Sequence, residues 1–476
     1  MPTPQNAILK PVRYGELAIA LLIAAIAVAS VTLVTSDSAA LLAAFCIGFA
    51  MVAVFRFEWF LYAQIFLLPW YPFLNAKVGL RDISLVLRFV LLVGVFILRK
   101  QSGKSLAQWF VGSRIKKWIL IFAGLLTATL LVSSLGPNVD ALRSLARMFS
   151  YLAFFYAISG WVETRGQIEN VIKLILFSGI LVALFGFYQV WQRGYTDLYN
   201  YLYPLQEQAL EEWNGRITSL LFHFNSLAGY LNLILPFSLA SMVLARERWL
   251  RYVAVACHSM VCATLYFTGS RGGLIAYAGM VLVSLHFLRP RRVAISRVLL
   301  ATVLSAVIVI PLQPEAAAES RLQEVDESTS VSRLALWGAA GAMFLQHPVL
   351  GVGYGNYRSL YNDYIPGMEP NQLDAHNLYL QFLAETGIIG FLTFCILIVS
   401  LIRAAINLAR SSDRLYRVVG IGMGGALAAT LMHGMVDFLF NVSPQFGALF
   451  WLVMALGLVA LEQSSRSRED HDANRL

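Results

Sequence analysis

Charge is scarce in this chain. Asp, Glu, Lys and Arg make up 13% of its 476 residues, while 58% are hydrophobic. Soluble domains carry roughly 25% charged residues. A soluble globular enzyme is therefore excluded, and a mean hydropathy of +0.66 points to a polytopic membrane protein. Cysteine is scarce too. Cys46, Cys257, Cys262 and Cys395 all lie within apolar runs, without CxxC or zinc-ligand spacing. They read as small buried hydrophobes. Repeats and low-complexity tracts are also missing. The net charge of +9 does not argue for nucleic acid. Much of it falls in short loops between apolar runs, where basic residues set topology.

What is abundant is long apolar sequence. A bilayer core takes roughly 20 apolar residues per helix, with about 17 as a lower bound. Candidate spans are 17–34, 39–56, 58–74, 82–98, 117–135, 143–162, 168–191, 226–245, 250–268, 273–288, 296–313, 385–404, 417–434 and 445–461. The expected fold is all-α, with 12–14 transmembrane helices. Lys10 and Arg13 before the run from Leu17 suit a signal peptide, but the length of the run favours an uncleaved first helix. The basic stretches 99–117, 246–251, 289–297 and 403–417 should share the cytoplasmic face with both termini. Two long outer loops remain, about 192–225 and 314–384, and neither holds a DxD-type carboxylate pair. That argues against metal-held nucleotide-sugar chemistry. The expected division is an N-terminal bundle (1–313), a partly helical outer loop (314–384), C-terminal helices (385–461) and a disordered cytoplasmic tail (462–476). In the second loop a helix is expected around SVSRLALWGAAGAMFLQHP, capped by Ser330 or Ser332 and limited by Pro348.

The chemistry-bearing residues gather at the outer mouths of spans. His376 precedes a span and could act as general base or acid, since imidazole ordinarily titrates near pH 6.5. An interfacial histidine satisfied by a carbonyl is the plainer reading. Asp374 could orient the ring if the stretch is extended. A metal site from these two lacks an evident third ligand. Arg216, Arg271, Arg333, Arg143 and Arg147 lie at outer boundaries, where basic residues are normally few. Each alone suits a headgroup anchor. Together their guanidinium forks suit phosphate oxygens. Gly272 and Gly273 could let backbone amides at a helix start approach an anion. His223 and Asn225 enter the eighth span, where Asn225 could cap the helix or face a cavity. His433 and Asp437 are weaker candidates, and His258 and His286 are given no role. Tyr354, Tyr357, Tyr361 and Trp337 could stack on sugars, although such residues are ordinary at membrane interfaces.

His376, Asn377, Gly387 and Gly390 match the pattern His, Asn/Ser/Gln, nine residues, Gly, two residues, Gly. Arg216 and Leu220 match Arg-x-x-x-Leu, a far less specific pattern. With the large outer loop before the last three spans, the chain resembles the bacterial O-antigen ligases and related O-antigen polymerases. That resemblance implies an architecture like the C-type glycosyltransferases, without metal or cofactor. It implies transfer of polysaccharide from undecaprenyl pyrophosphate to a sugar hydroxyl of lipid A–core, at the periplasmic face of the bacterial inner membrane. His376 would take the acceptor proton. Arg216, Arg271, Arg333, Arg147, Asn377 and Tyr354 would contact substrate. A polymerase or protein O-oligosaccharyltransferase shares donor and site and stays open as an alternative. A transporter is disfavoured, because neither inverted repeats nor paired broken helices near the membrane midplane are visible, and the polar residues gather at the outer mouths of spans.

Overall fold

The computed structural model describes residues 57–71, 83–133, 136–191, 216–221, 223–289, 291–312, 327–365 and 373–473. Among them the protein is helical, with no strand. The candidate spans 17–34 and 39–56, with Cys46, lie outside the described residues. Each of the other twelve has a helical counterpart.

The first is α1 (Phe57–Leu67), which passes into a 3-10 turn, Leu68–Trp70. Pro69 sits in that turn and ends the helix well short of a full span. Then come α2 (Ile83–Gln101), the short α3 (Leu106–Val111), α4 (Arg114–Val132), α5 (Val139–Trp161) and α6 (Arg165–Trp191). The middle of the chain forms α7 (Phe224–Leu244), α8 (Arg248–Phe267), α9 (Arg271–Phe287) and α10 (Arg291–Leu312). The second long loop holds α11 (Glu327–Gln346) and α12 (Tyr357–Tyr364), and α13 (Leu378–Ala409), α14 (Arg414–His433), α15 (Leu439–Val442) and α16 (Pro444–Ala473) complete the bundle.

Eight of these helices are long and apolar enough to cross a membrane. The tally is below the expected count for chemical reasons. Arg88, Arg99 and Lys100 interrupt α2, and Asp140, Arg143 and Arg147 load the start of α5. At 17 residues α9 is short. The protein is nonetheless an all-α polytopic membrane protein. Its centre is α7, whose most apolar stretch is 94% buried, whereas that of α10 is only 17% buried. A helix that is apolar all round belongs either in a core or against lipid. The neighbours decide here: α7 packs on α6, α8, α9, α14 and α16.

The structure corrects several expectations. The loop helix starts at Glu327, upstream of Ser330 and Ser332, although it ends before Pro348 as expected. The helix expected from residue 385 begins at Leu378 and is broken at Gly387. The segment expected as a disordered tail continues α16 to Ala473. The run from Arg216 to Leu220, which carries the Arg-x-x-x-Leu pattern, is not helical.

The basic connections gather at one end of the bundle. Lys104 pairs with Glu163, Arg165 pairs with Asp413 at 2.9 Å, and Lys173 lies 5.5 Å above the Trp249 ring. The starts of α7, α9, α13 and α16 and the end of α14 lie at the other end. There the loop helices build a small second core. Leu336, Ala340 and Met343 of α11 pack with Tyr357 and Tyr361 of α12 and with Ala375 and Ala384.

Candidate active site

His376 stands in a turn fixed on both sides. Asn377 caps α13: its Oδ1 accepts from the backbone N–H of Tyr379 and Leu380, both at 3.0 Å. Its Nδ2 donates to the Met435 carbonyl at 2.9 Å, and Leu378 N–H donates to the Gly434 carbonyl at 2.7 Å. The turn is thereby pinned to the end of α14, and His376 adopts φ 46°. A positive φ is uncommon outside glycine and persists only where the surroundings over-determine it.

The pinning brings His376 Nδ1 to 3.2 Å from Asp437 Oδ1. Asp437 also accepts from the Phe438 backbone N–H at 2.8 Å and is almost fully buried. An ionised carboxylate only accepts, so Nδ1 carries the hydrogen. The Nε2 lone pair is then left for a substrate proton. Burial pulls the imidazole pKa down, but the hydrogen bond and charge of Asp437 outweigh it, and the net value lies above the ordinary one. Burial alone would raise the Asp437 pKa. The hydrogen bond and charge of His376, with His433 and His223 nearby, instead hold it well below the carboxylate range.

Asp374 does not orient the ring. Arg358 takes both its oxygens in a fork, with Nε donating to Oδ1 at 2.8 Å and Nη2 paired to Oδ2. Gln381 adds a 2.9 Å bond to Oδ1 and reaches Glu385 at 3.2 Å, and Glu385 accepts from the Tyr357 N–H. This network ties α12 to the His376 turn. A charge-assisted bidentate pair suits a buried anchor.

The two glycines of the histidine pattern are explained by packing. Gly387 has φ 60°, and an added Cβ would lie 2.4 Å from Val349 backbone atoms. Val352 and Gly353 donate to the carbonyls of Ala384 and Glu385, and Ile388 donates to that of Pro348, each at 2.9 Å. The chain after α11 thus lies backbone-to-backbone against the break in α13. At Gly390 a Cβ would meet Thr386 at 2.3 Å.

Around the pair stand further titratable and cationic groups. His223 caps α7, accepting the Asn225 N–H at Nδ1 (3.1 Å), so Asn225 is not the cap. Asn225 Oδ1 instead accepts from Ser270 Oγ at 2.7 Å. Burial lowers the His223 pKa; Asp437 opposes this, and the charges of His376, Arg216 and Arg333 add to it. The Arg216 guanidinium lies 4.6 Å over the Phe224 ring and alongside Gly269. Arg333 opens the described side chains of α11 and its charge bears on His376, His223 and His433. Arg271, exposed, begins α9, whose Gly272 packs against Val436 and His433. The Gly273 N–H is taken by Ser270 Oγ at 3.1 Å, and a Cβ on Gly273 would meet Ala228 at 2.7 Å. These glycines serve close packing, and the Gly273 amide is not offered to an anion.

The remaining candidates lie elsewhere. Tyr354 is buried, with its ring stacked 6.2 Å from that of Phe382, and presents no face to a sugar. Arg147 donates to the Asn441 carbonyl at 3.0 Å and holds α15. Arg143 pairs with Asp140 at 3.1 Å on the surface. Among the described residues no group of three or more His, Cys, Asp or Glu could hold a metal ion. Sequence reasoning undervalued Asp437 and passed over Arg88, which is 1% exposed inside α2 and donates to Ser150 Oγ at 2.9 Å. An arginine within the run ISLVLRFVLL was its available signal.

A comparison with curated proteins returns no match. A scan of family models matches residues 259–395, a stretch from within α8 through the His376 turn into α13, to the family described as O-antigen ligase. Over those residues the chain is similar to the O-antigen ligase family.

Proposed function

We propose that this protein transfers a polysaccharide from undecaprenyl pyrophosphate to a sugar hydroxyl of lipid A–core, at the periplasmic face of the inner membrane. The observation that carries the reading is the His376–Asp437 pair, with 3.2 Å between Nδ1 and Oδ1, in a mouth where the charges of Arg216 and Arg333 converge. His376 Nε2 takes the proton of the acceptor hydroxyl. The hydroxyl oxygen bonds to the anomeric carbon as the bond from that carbon to the pyrophosphate oxygen breaks. Undecaprenyl pyrophosphate leaves with the electron pair, and one displacement inverts the anomeric centre. Asp437 holds the tautomer and offsets the imidazolium. Arg216, Arg333 and Arg271 offset charge on the leaving group, a role that fixed donors perform well in a water-poor site. Asn377 and Arg147 act by holding the turn and α15. On this reading the reaction needs no metal, and activity of the purified enzyme persists in EDTA.

Complementation of a ligase-deficient strain tests the acceptor. A restored lipopolysaccharide ladder on a gel, lost again with His376→Ala, is the expected result. Accumulated lipid-linked polymer without a ladder removes the ligase reading in favour of a polymerase or protein-directed transferase.

A further inference from the structure

A cavity of about 840 Å³ opens at the end of the bundle opposite His376, where α2, α5 and α16 end and α4 begins. Arg99, Lys104, Arg114, Lys116 and Arg466 line it against only two carboxylates, Glu163 and Glu462, an excess of three positive charges. Three of the cations have partners: Arg99 and Lys104 share Glu163, and Lys116 meets Glu462 at 3.0 Å. Arg114 and Arg466 are exposed, so the excess faces the opening.

A second observation points the same way. The first turn of α4 holds Arg114, Lys116 and Lys117 and no acidic residue. The start of a helix is its positive end, where cations are unfavourable and anions favoured. Two of these cations, Arg114 and Lys116, line the cavity, and an anion there would offset them. Of the apolar residues that line it, Trp109 and Leu458 are buried and Leu461 is half-buried. Val111 on the adjoining short α3 is 40% exposed. Charge at the rim and apolar side chains beside it match a phosphate group carried on a lipid.

We propose that this cavity is a phosphate-binding site, separate from the transfer site, which takes the headgroup of an anionic phospholipid. It does not rest on the transfer reaction. The shared chemistry is a phosphate anion, which a lipid or a soluble pyrophosphate could supply. The purified full-length protein is examined by native mass spectrometry with equal amounts of dioleoylphosphatidylglycerol and dioleoylphosphatidylcholine. Wild type should retain phosphatidylglycerol preferentially. The double variant Arg114→Gln, Arg466→Gln should lose that preference by about tenfold, with phosphatidylcholine retention unchanged. Thermal unfolding in lipid-free detergent with inorganic pyrophosphate forms the second arm. A rise in midpoint with pyrophosphate, absent in the double variant and without phosphatidylglycerol preference in the first arm, keeps the phosphate site and assigns it to a soluble ligand. Arg246→Gln with Arg289→Gln, both exposed on the same end, is the control and should change neither arm. An equal loss in the control, or no effect of the Arg114 and Arg466 substitutions in either arm, overturns the site.

Discussion

At the scale of single residues, the proposed transfer chemistry turns on which form of His376 is present. Its pKa lies above the ordinary value because Asp437 outweighs burial. A base works only when deprotonated, so the rate should fall as pH drops through that raised pKa. Asp437→Asn removes the charge that favours imidazolium. The acidic limb of the pH–rate profile should then move to lower pH, while the maximal rate also falls because the amide no longer fixes the tautomer. A merely structural Asp437 would lower the rate with the limb unmoved. His376→Ala should lose about 10²–10⁴ in rate at normal expression, and wild-type ladders from it would remove the base assignment. Arg216→Lys tests the fork. Lysine keeps a point charge but not the planar donor pair, so donor turnover should stay impaired, and full activity would make Arg216 an interface anchor over Phe224. His376 was legible in the sequence because it starts an apolar run within a spaced pattern. Asp437 was named only as a weaker candidate, and its pairing with His376 could not be read across 61 residues from another connection. Nor could spacing reveal that Arg358 claims Asp374, since sequence proximity favoured the histidine.

At the scale of elements, the pattern Asn377, Gly387, Gly390 is a device for holding one turn. Asn377→Ala removes the cap of α13 and should cost about 1 kcal/mol of stability, with Asn377→Ser recovering most of it. Gly387→Ala adds a Cβ to a residue at φ 60° that has backbone 2.4 Å away. Its cost should exceed about 1 kcal/mol. Thermal unfolding midpoints in detergent measure both. A Gly387→Ala midpoint equal to wild type would mean that the break in α13 is not rigid. The apolar runs were legible as helices because of their length, but their number as spans was not, since charges in α2 and at the start of α5 and the shortness of α1 and α9 decide it. The break was not, because a helix-period pattern runs straight through Gly387 and only the crossing segment at 348–353 forces the departure. The early start of α11 at Glu327 was missed for a related reason: serine signals a cap equally well inside a helix.

At the scale of the whole molecule, two chemically different ends face apart. His376, Asp437, Arg216 and Arg333 lie where α7, α9 and α13 begin, and the arginine-rich connections lie where those helices end or their neighbours start. Basic connections favour the cytoplasm, so the expected orientation puts His376 outside. The arrangement of ends was readable from charge alone, since the four basic stretches were spaced by even numbers of spans. Thiol labelling of intact spheroplasts tests the orientation, after the native cysteines are replaced by alanine or serine. Leu345→Cys, at a position 78% exposed on α11, should react with an impermeant maleimide. Lys104→Cys, Arg248→Cys, Arg292→Cys and Arg410→Cys should react only after permeabilisation. Protection of position 345 together with labelling of 292 would turn the molecule over. The His376 mouth would then face the cytoplasm, where a periplasmic acceptor could not reach it, and the transfer reading would fall with the topology.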